Sequence, residues 1–429
     1  MSLPKSFNLS EPIASLPEGA KSTLMSVRPI SGSSFGPSQI VEFDLPNSQW
    51  LVPDSLAIRY NQRISSSAAT AVVAGTPYIT PFARLNTLIN GQVVDSISQY
   101  SQVVHMIINT SMGVSKKYGQ AQSWGYTVPT ASDGLMTYLD GRLVPASQTL
   151  EKTTVAGPLY GTLLSNSEKC LPLFSMGNVR LQFQIDSLAN MSFNNGTITD
   201  ITGLQIDSFE LTFKLVDLGP AVERMVYDMG PQLFIKSHGW MNSSVAVSAG
   251  TSGTQSYVFN QRLASIRSAY IVPNRPSGSK QFEFVDITNG NGTYQLLCGN
   301  STFPQLPLDT LNNFNGVFLS TAAASQNIYG KNSEMSISRA EAVVDENDLT
   351  ANLVYYTPGK FIAGIDLSRT PSGDDRDIMM GGSSTYNTPI TCQVTFNTAT
   401  TNANSLNLML DYDAVLVLDV ASRQVSVRM

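Results

Sequence analysis

The feature that most limits the fold is a stretch used twice. Leu204 to Gly230 (LQIDSFELTFKLVDLGPAVERMVYDMG) opens with apolar residues at alternate positions, Phe209, Leu211, Phe213 and Leu215, the period of a strand with one face in a core. After Gly219 and Pro220 the period lengthens. Val222, Met225, Val226 and Met229 then fall on one side of a short helix, so at mid-chain a strand hands over to something else. Leu406 to Val420 (LNLMLDYDAVLVLDV) repeats the strand pattern, with the same leucine-rich start, acidic and aromatic middle, and alternating tail ending in Asp. A second matched strand precedes each copy, Val179 to Ile185 (VRLQFQI) and Ile390 to Phe396 (ITCQVTF), followed by an Asn/Thr-rich connector. A repeat of roughly 200 residues is too long for a solenoid and fits a duplicated domain.

The length of 429 residues accommodates two such domains, and a hydrophobic share of 42% fills two separate cores. Charged residues are only 14%, against roughly 25% in ordinary soluble domains. Because charge keeps proteins apart, this surface fits either a plain neutral-polar β protein or, as the favoured reading, a chain that buries much of its outside against copies of itself. The net charge of -6 argues against nucleic-acid binding, which needs clustered Lys and Arg. The N-terminal segment has Lys5, Lys21 and Arg28 against Glu11 and Glu18, so there is no basic arm. Met1 to Leu9 lacks the apolar centre of a signal peptide, and no run of apolar residues is long enough to span a membrane. Cys170, Cys298 and Cys392 are far apart in sequence, cannot all pair and show no metal spacing, which points to a reducing cytosol or nucleus as the place of synthesis.

Along the chain, residues 1–36 are rich in Pro and Gly and read as an extended arm. Gln39 to Asp44 and Ser55 to Ile64 are strands, Ser65 to Thr76 a surface loop, and Asn90-Gly91 the tip of a tight hairpin within Leu85 to Val94. From Asp95 the spacing of Ile97, Tyr100, Val103, Val104, Ile107, Ile108 and Met112 predicts a helix with one apolar face, ended by Gly113 and the Lys116-Lys117 pair. Residues 119–169 read as loop. The second half follows the same programme: strands at Gln255 to Asn260, Leu263 to Val272, Gln281 to Ile287 and Thr293 to Cys298, a helix over Leu308 to Ser325, and strands at Ala351 to Tyr356 and Phe361 to Leu367. About eight strands per half with no βαβ rhythm predict an all-β protein of two tandem antiparallel eight-stranded jelly rolls, each with a short inserted helix. The expected divisions are an arm over 1–36, a first roll over 37–218, a linker with a short helix over 219–230, a second roll over 231–420 and a tail over 421–429.

With these features in place the chain resembles the double jelly-roll major capsid proteins of double-stranded DNA viruses, the adenovirus, tectivirus, polinton-like virus and virophage lineage. The resemblance rests on the tandem halves, the hairpin-then-helix stretch Pro81 to Met112, the turn at Gly219-Pro220 after the closing strand, and the segment Phe361 to Leu367 (FIAGIDL). It implies a homotrimer that forms a pseudo-hexagonal capsomer, tiles an icosahedral shell and meets neighbouring capsomers, with penton or minor capsid proteins as further partners. It also implies a virion location and no catalysis or cofactor. The modest loops Gln120 to Glu168, Asn190 to Thr202, Asn242 to Thr254 and Ser368 to Pro389 imply a sparsely decorated capsomer. The alternative is a carbohydrate-binding or carbohydrate-active β-sandwich, such as a spike or tail component, with Trp124 and Tyr126 stacking on sugar.

Motifs for chemistry are few. Gly32 to Gly36 matches G-x-S-x-G around Ser34, but that motif works only on a strand-to-helix turn, and here it precedes a β strand. Of the two histidines, His105 lies mid-helix and His238 is expected at a strand end, positions that suit core or cap roles. Asp345, Glu346 and Asp348, and separately Asp374, Asp375 and Asp377, lack the spacing of a calcium loop and read as solvated acidic turns. No catalytic, cofactor or metal residue is therefore assigned.

Overall fold

The computed structural model describes residues 19–67, 70–126, 141–145, 151–193, 201–228, 230–274, 282–299, 301–329, 335–337, 339–343, 359–368, 381–420 and 422–429. In the first half the strands are β1 Lys21–Val27, β2 Ser34–Phe35, β3 Ile40–Asp44, β4 Trp50–Leu51, β5 Ala57–Ser66, β6 Thr70–Ala74, β7 Phe82–Ile89, β8 Gln92–Ser98, β9 Gly141–Pro145, β10 Glu151–Pro158, β11 Leu171–Pro172, β12 Val179–Ile185, β13 Ser192–Phe193 and β14 Ile201–Asp217. Its helices are α1 Tyr100–Ser111, α2 Val114–Trp124 and α3 Leu173–Met176, and α4 Pro220–Asp228 leads into the second half. There the strands are β15 Gln232–Val247, β16 Gly253–Phe259, β17 Ile266–Asn274, β18 Gly292–Cys298, β19 Ser301–Asp309, β20 Ala363–Asp366, β21 Ile390–Phe396, β22 Asn404–Asp419 and β23 Gln424–Arg428, with α5 Phe314–Tyr329 and α6 Arg339–Ala342.

Pairing reduces this inventory to one plan drawn twice. In the first half β1, β14, β5 and β10 lie side by side, as do β3, β12, β7 and β8. In the second half β15, β22, β17 and β20 form one sheet, and β16, β21, β18 and β19 the other. Numbering the eight main strands of each half by chain order gives the same two sheet orders, 1-8-3-6 and 2-7-4-5, within each unit. All these ladders are antiparallel, and the pattern is that of a jelly roll. The helices fall between the fifth and sixth main strands both times, α1 and α2 after β8, α5 and α6 after β19. Among the described residues no ladder joins the halves.

Alternation in sequence becomes alternation in burial. Along β12, Val179, Leu181, Phe183 and Ile185 point inward while the residues between them stay half-exposed. Phe209 enters the sandwich from a bulge in β14, where Ser208 takes φ 52°. Its ring centroid lies 4.9 Å from that of Phe43, 5.1 Å from Tyr60, 5.5 Å from Phe82 and 5.6 Å from Phe183, so five aromatic rings from both sheets meet there. The β7–β8 hairpin turns on Asn90 and Gly91 with φ of 50° and 79°, the left-handed pair that the sequence predicted.

Several expectations are corrected. Residues 21–27, expected within an arm, form β1, the first strand of the first roll, and β2 also lies in that segment. Ser65 to Thr76, expected as loop, contains β6, and 119–169 contains the end of α2 together with β9 and β10. Gly113 caps α2 instead of simply ending the preceding helix. The second helix starts at Phe314, not Leu308, because Leu308 belongs to β19, which runs to Asp309. Of the strand expected over Gln281 to Ile287, the described part from Phe282 forms isolated bridges, as at Phe284, and no ladder. Residues 424–428, expected as a tail, pair with β22 as β23. The largest omission is β15, sixteen residues long, so His238 sits mid-strand. Ala351 to Tyr356 lies outside the described residues. Two separate cores were expected, yet the buried apolar side chains form one connected cluster that runs through both rolls.

Candidate functional site

The cluster is continuous because the rolls are joined along a seam. Trp240 of β15, 1% exposed, reaches across to Gly161, where an added Cβ would stand 3.5 Å from the indole and 3.6 Å from Ile97. Gly161 has φ 85°, a conformation that glycine adopts without strain. Hydrogen bonds stitch the seam's length. Ser98 Oγ donates to the Asn242 carbonyl at 3.1 Å, Asn166 Nδ2 to the His238 carbonyl at 2.9 Å, and Ser237 Oγ to the Leu163 carbonyl at 2.6 Å. Farther along, the Ser336 N–H donates to the Asn109 carbonyl at 2.9 Å, and Asn90 Nδ2 to the Arg423 carbonyl at 2.8 Å.

Asp95 is buried in this seam. One carboxylate oxygen accepts the Leu163 N–H at 3.1 Å, while the other has no partner. Burial pushes its pKa up to about 7, against the opposing pull of the Leu163 and Ser96 backbone bonds. Asp286, also held above the usual carboxylate range by burial, organises a turn by accepting from the Thr288 N–H at 2.9 Å, Thr288 Oγ1 at 2.7 Å, the Gly290 N–H at 3.1 Å and the Tyr294 hydroxyl at 2.8 Å. Neither carboxylate was singled out from the sequence, since burial of an isolated Asp leaves no periodic trace.

The outward surfaces carry a pattern of their own. Exposed large apolar side chains sit on strands that pair on one side only: Leu24 on β1, Ile40 on β3, Val93 on β8, Phe234 on β15, Val258 on β16 and Leu306 on β19. Leu306 is 83% exposed, flanked by Pro304 and Pro307, whose missing N–H groups blunt that edge against further strand pairing. Leu311 and Leu319 continue the exposed apolar run into α5. Edge strands with apolar side chains left in water are what a self-associating chain presents.

The residues weighed for chemistry lie apart. Ser34 is on β2 beside Asp207 of β14, where its hydroxyl accepts from Gln205 Nε2 at 2.8 Å, a strand setting and not a strand-to-helix turn. His105 is buried in α1 between Thr76 Oγ1, 3.2 Å from Nδ1, and Asn109 Nδ2, 3.1 Å from Nε2. His238 Nδ1 lies 3.1 Å from the Asp411 carboxylate, with Arg267 on the far side at 3.8 Å. Trp124 and Tyr126 are both buried, the former 5.4 Å from the Tyr78 ring and the latter donating its hydroxyl to Thr76. They form no exposed platform for a sugar. The acidic groups at 345–348 and 374–377 lie outside the described residues. Among the described residues no cluster of His, Cys, Asp and Glu is arranged to hold a metal, and no helix is long and apolar enough to cross a membrane.

Two rolls of the same strand order, each with its helices between the fifth and sixth main strands and joined along a seam, define the double jelly-roll class. Solved structures of that class superpose on nearly the whole chain. The PBCV-1 virus capsid protein matches at a TM-score of 0.62 and 12% identity, covering 98% of this chain and 99% of its own. The Faustovirus major capsid protein matches at 0.56 and 10% identity, with 98% and 93% covered. The mavirus major capsid protein matches at 0.54 and 11% identity, with 100% and 95% covered. No protein-family model and no curated protein matches the chain. At this level of identity the likeness establishes the fold.

Proposed function

We propose that this chain is the major capsid protein of an icosahedral virus. The observation that carries the reading is the pair of jelly rolls fused by a seam, with apolar side chains exposed on the edge strands of both. A monomer gains nothing from such edges, whereas a shell subunit covers them with its neighbours, at interfaces of about 2,000–5,000 Å² for obligate assemblies. The low share of charged residues, 14%, has the same consequence. Three copies, each contributing two upright rolls, make a pseudo-hexagonal capsomer. The rolls divide at the linker helix α4, and the capsomers meet one another and the penton or minor proteins of the shell.

The role is structural. His105, His238 and Ser34 are each engaged locally and lie on different elements, and the net charge of -6 leaves genome packaging to other components. Negative-stain images of the purified protein provide the test. Hexagonal-looking trimers that go on to form sheets or particles are expected, and a stable monomer that binds glycans would overturn the proposal.

A further inference from the structure

Beside α4, at the end of the seam, lies a cavity of about 410 Å³ lined by Trp50, Pro172, Val216, Leu218, Val226 and Phe234 among others. Its lining is almost wholly apolar, and Phe234 at its rim is 57% exposed. An apolar pocket of this kind fits a peptide that carries apolar side chains at short intervals.

We infer that this cavity is the seat of the chain's own residues 1–18. The point where that segment enters the fold is adjacent: Lys21, the first residue of β1, pairs with Asp217, which lies between the lining residues Val216 and Leu218. Gly19 has φ 93°, so the chain turns there and leaves the line of β1. The segment, MSLPKSFNLSEPIASLPE, carries Leu3, Phe7, Leu9, Ile13 and Leu16. Pro4, Pro12 and Pro17 disfavour both helix and sheet, so the sequence suits docking through its side chains. Its reach of up to about 60 Å far exceeds the gap. Tethering gives it a local concentration of order millimolar, and this favours the chain's own segment over that of a neighbour. The inference does not depend on the capsid reading.

The test replaces Phe7 with photoreactive benzoylphenylalanine in the full chain, followed by irradiation and peptide mapping. Cross-links from position 7 to the Val216–Leu218 or Leu233–Ile235 peptides within one chain are expected. Cross-links that join two chains would assign the pocket to a neighbour's segment and overturn the inference, as would cross-links elsewhere or none. Cys170, which also lines the cavity, gives a second readout. Its alkylation is expected to be at least about tenfold faster in a chain beginning at Gly19, and in the full-length F7D/L9D variant, than in the unaltered chain. Equal rates in all three would overturn the inference.

Discussion

At the scale of single residues, Phe209 and Asp95 show what holds the molecule together and what works against it. Phe209 meets four aromatic rings from both sheets of the first roll, and truncating a buried Phe removes both transfer energy and packing. Phe209→Ala is expected to lower stability by about 3–5 kcal/mol, read as a fall in the denaturant midpoint without a change in slope. Asp95 acts in the opposite sense. Its pKa is about 7 in the fold against a usual 3.8, so the folded state holds a proton that the unfolded chain has released between those values. Stability contributed at low pH is therefore lost as pH rises from about 4 to 7. Asp95→Asn keeps an acceptor for the Leu163 N–H and removes the charge. The variant is expected to match the parent at pH 4 and to exceed it by up to about 4 kcal/mol at pH 8, in paired denaturation curves. A constant difference across that range would count against a buried, titrating Asp95.

At the scale of elements, what the sequence reveals is burial on one face, and strands are legible to the extent that they have one. Val179 to Ile185 and Ile390 to Phe396 alternate strictly because each lies between two neighbours in a sheet with one face on the core, and both ranges match the observed strands. β1, KSTLMSV, is an exposed edge strand and shows no such pattern. β15 was missed for the opposite reason: it is covered on both sides in places, and its buried positions include Ser237 and Asn242, whose polar groups bond across the seam. α1 hides its environment in the same way. Its apolar face was readable, but Gln102, His105, Asn109 and Thr110 are buried as well, with Lys117 Nζ donating to Asn109 Oδ1 at 2.9 Å. No periodicity announces a polar residue that finds its partner on another element. The hairpin was legible because Asn-Gly is a local signal. There, Gly91 has φ 79°, so Gly91→Val is expected to cost about 1–2 kcal/mol in chemical denaturation while leaving the far-ultraviolet circular dichroism of the folded protein unchanged.

At the scale of the whole molecule, duplication was visible in the sequence but fusion was not. The two halves keep separate ladders, and for that reason the repeat could be read from strand patterns alone. The single core arises from contacts between non-repeated positions, such as Trp240 against Gly161, and nothing in either half marks these as partners. In the proposed shell role, two rolls joined through one core present their outer edges to neighbours together. The consequence is thermodynamic. With a continuous core, the protein at fixed protomer concentration is expected to unfold in one calorimetric transition, with calorimetric and van't Hoff enthalpies in agreement. Trp240→Ala removes a side chain that is 1% exposed at the junction, costing about 3–5 kcal/mol. Because that loss falls on the coupling between rolls more than on either sandwich, the variant is expected to unfold in two steps instead of one. Two transitions in the unaltered protein, or a single lowered transition in the variant, would mean that the seam does not carry the coupling assigned to it.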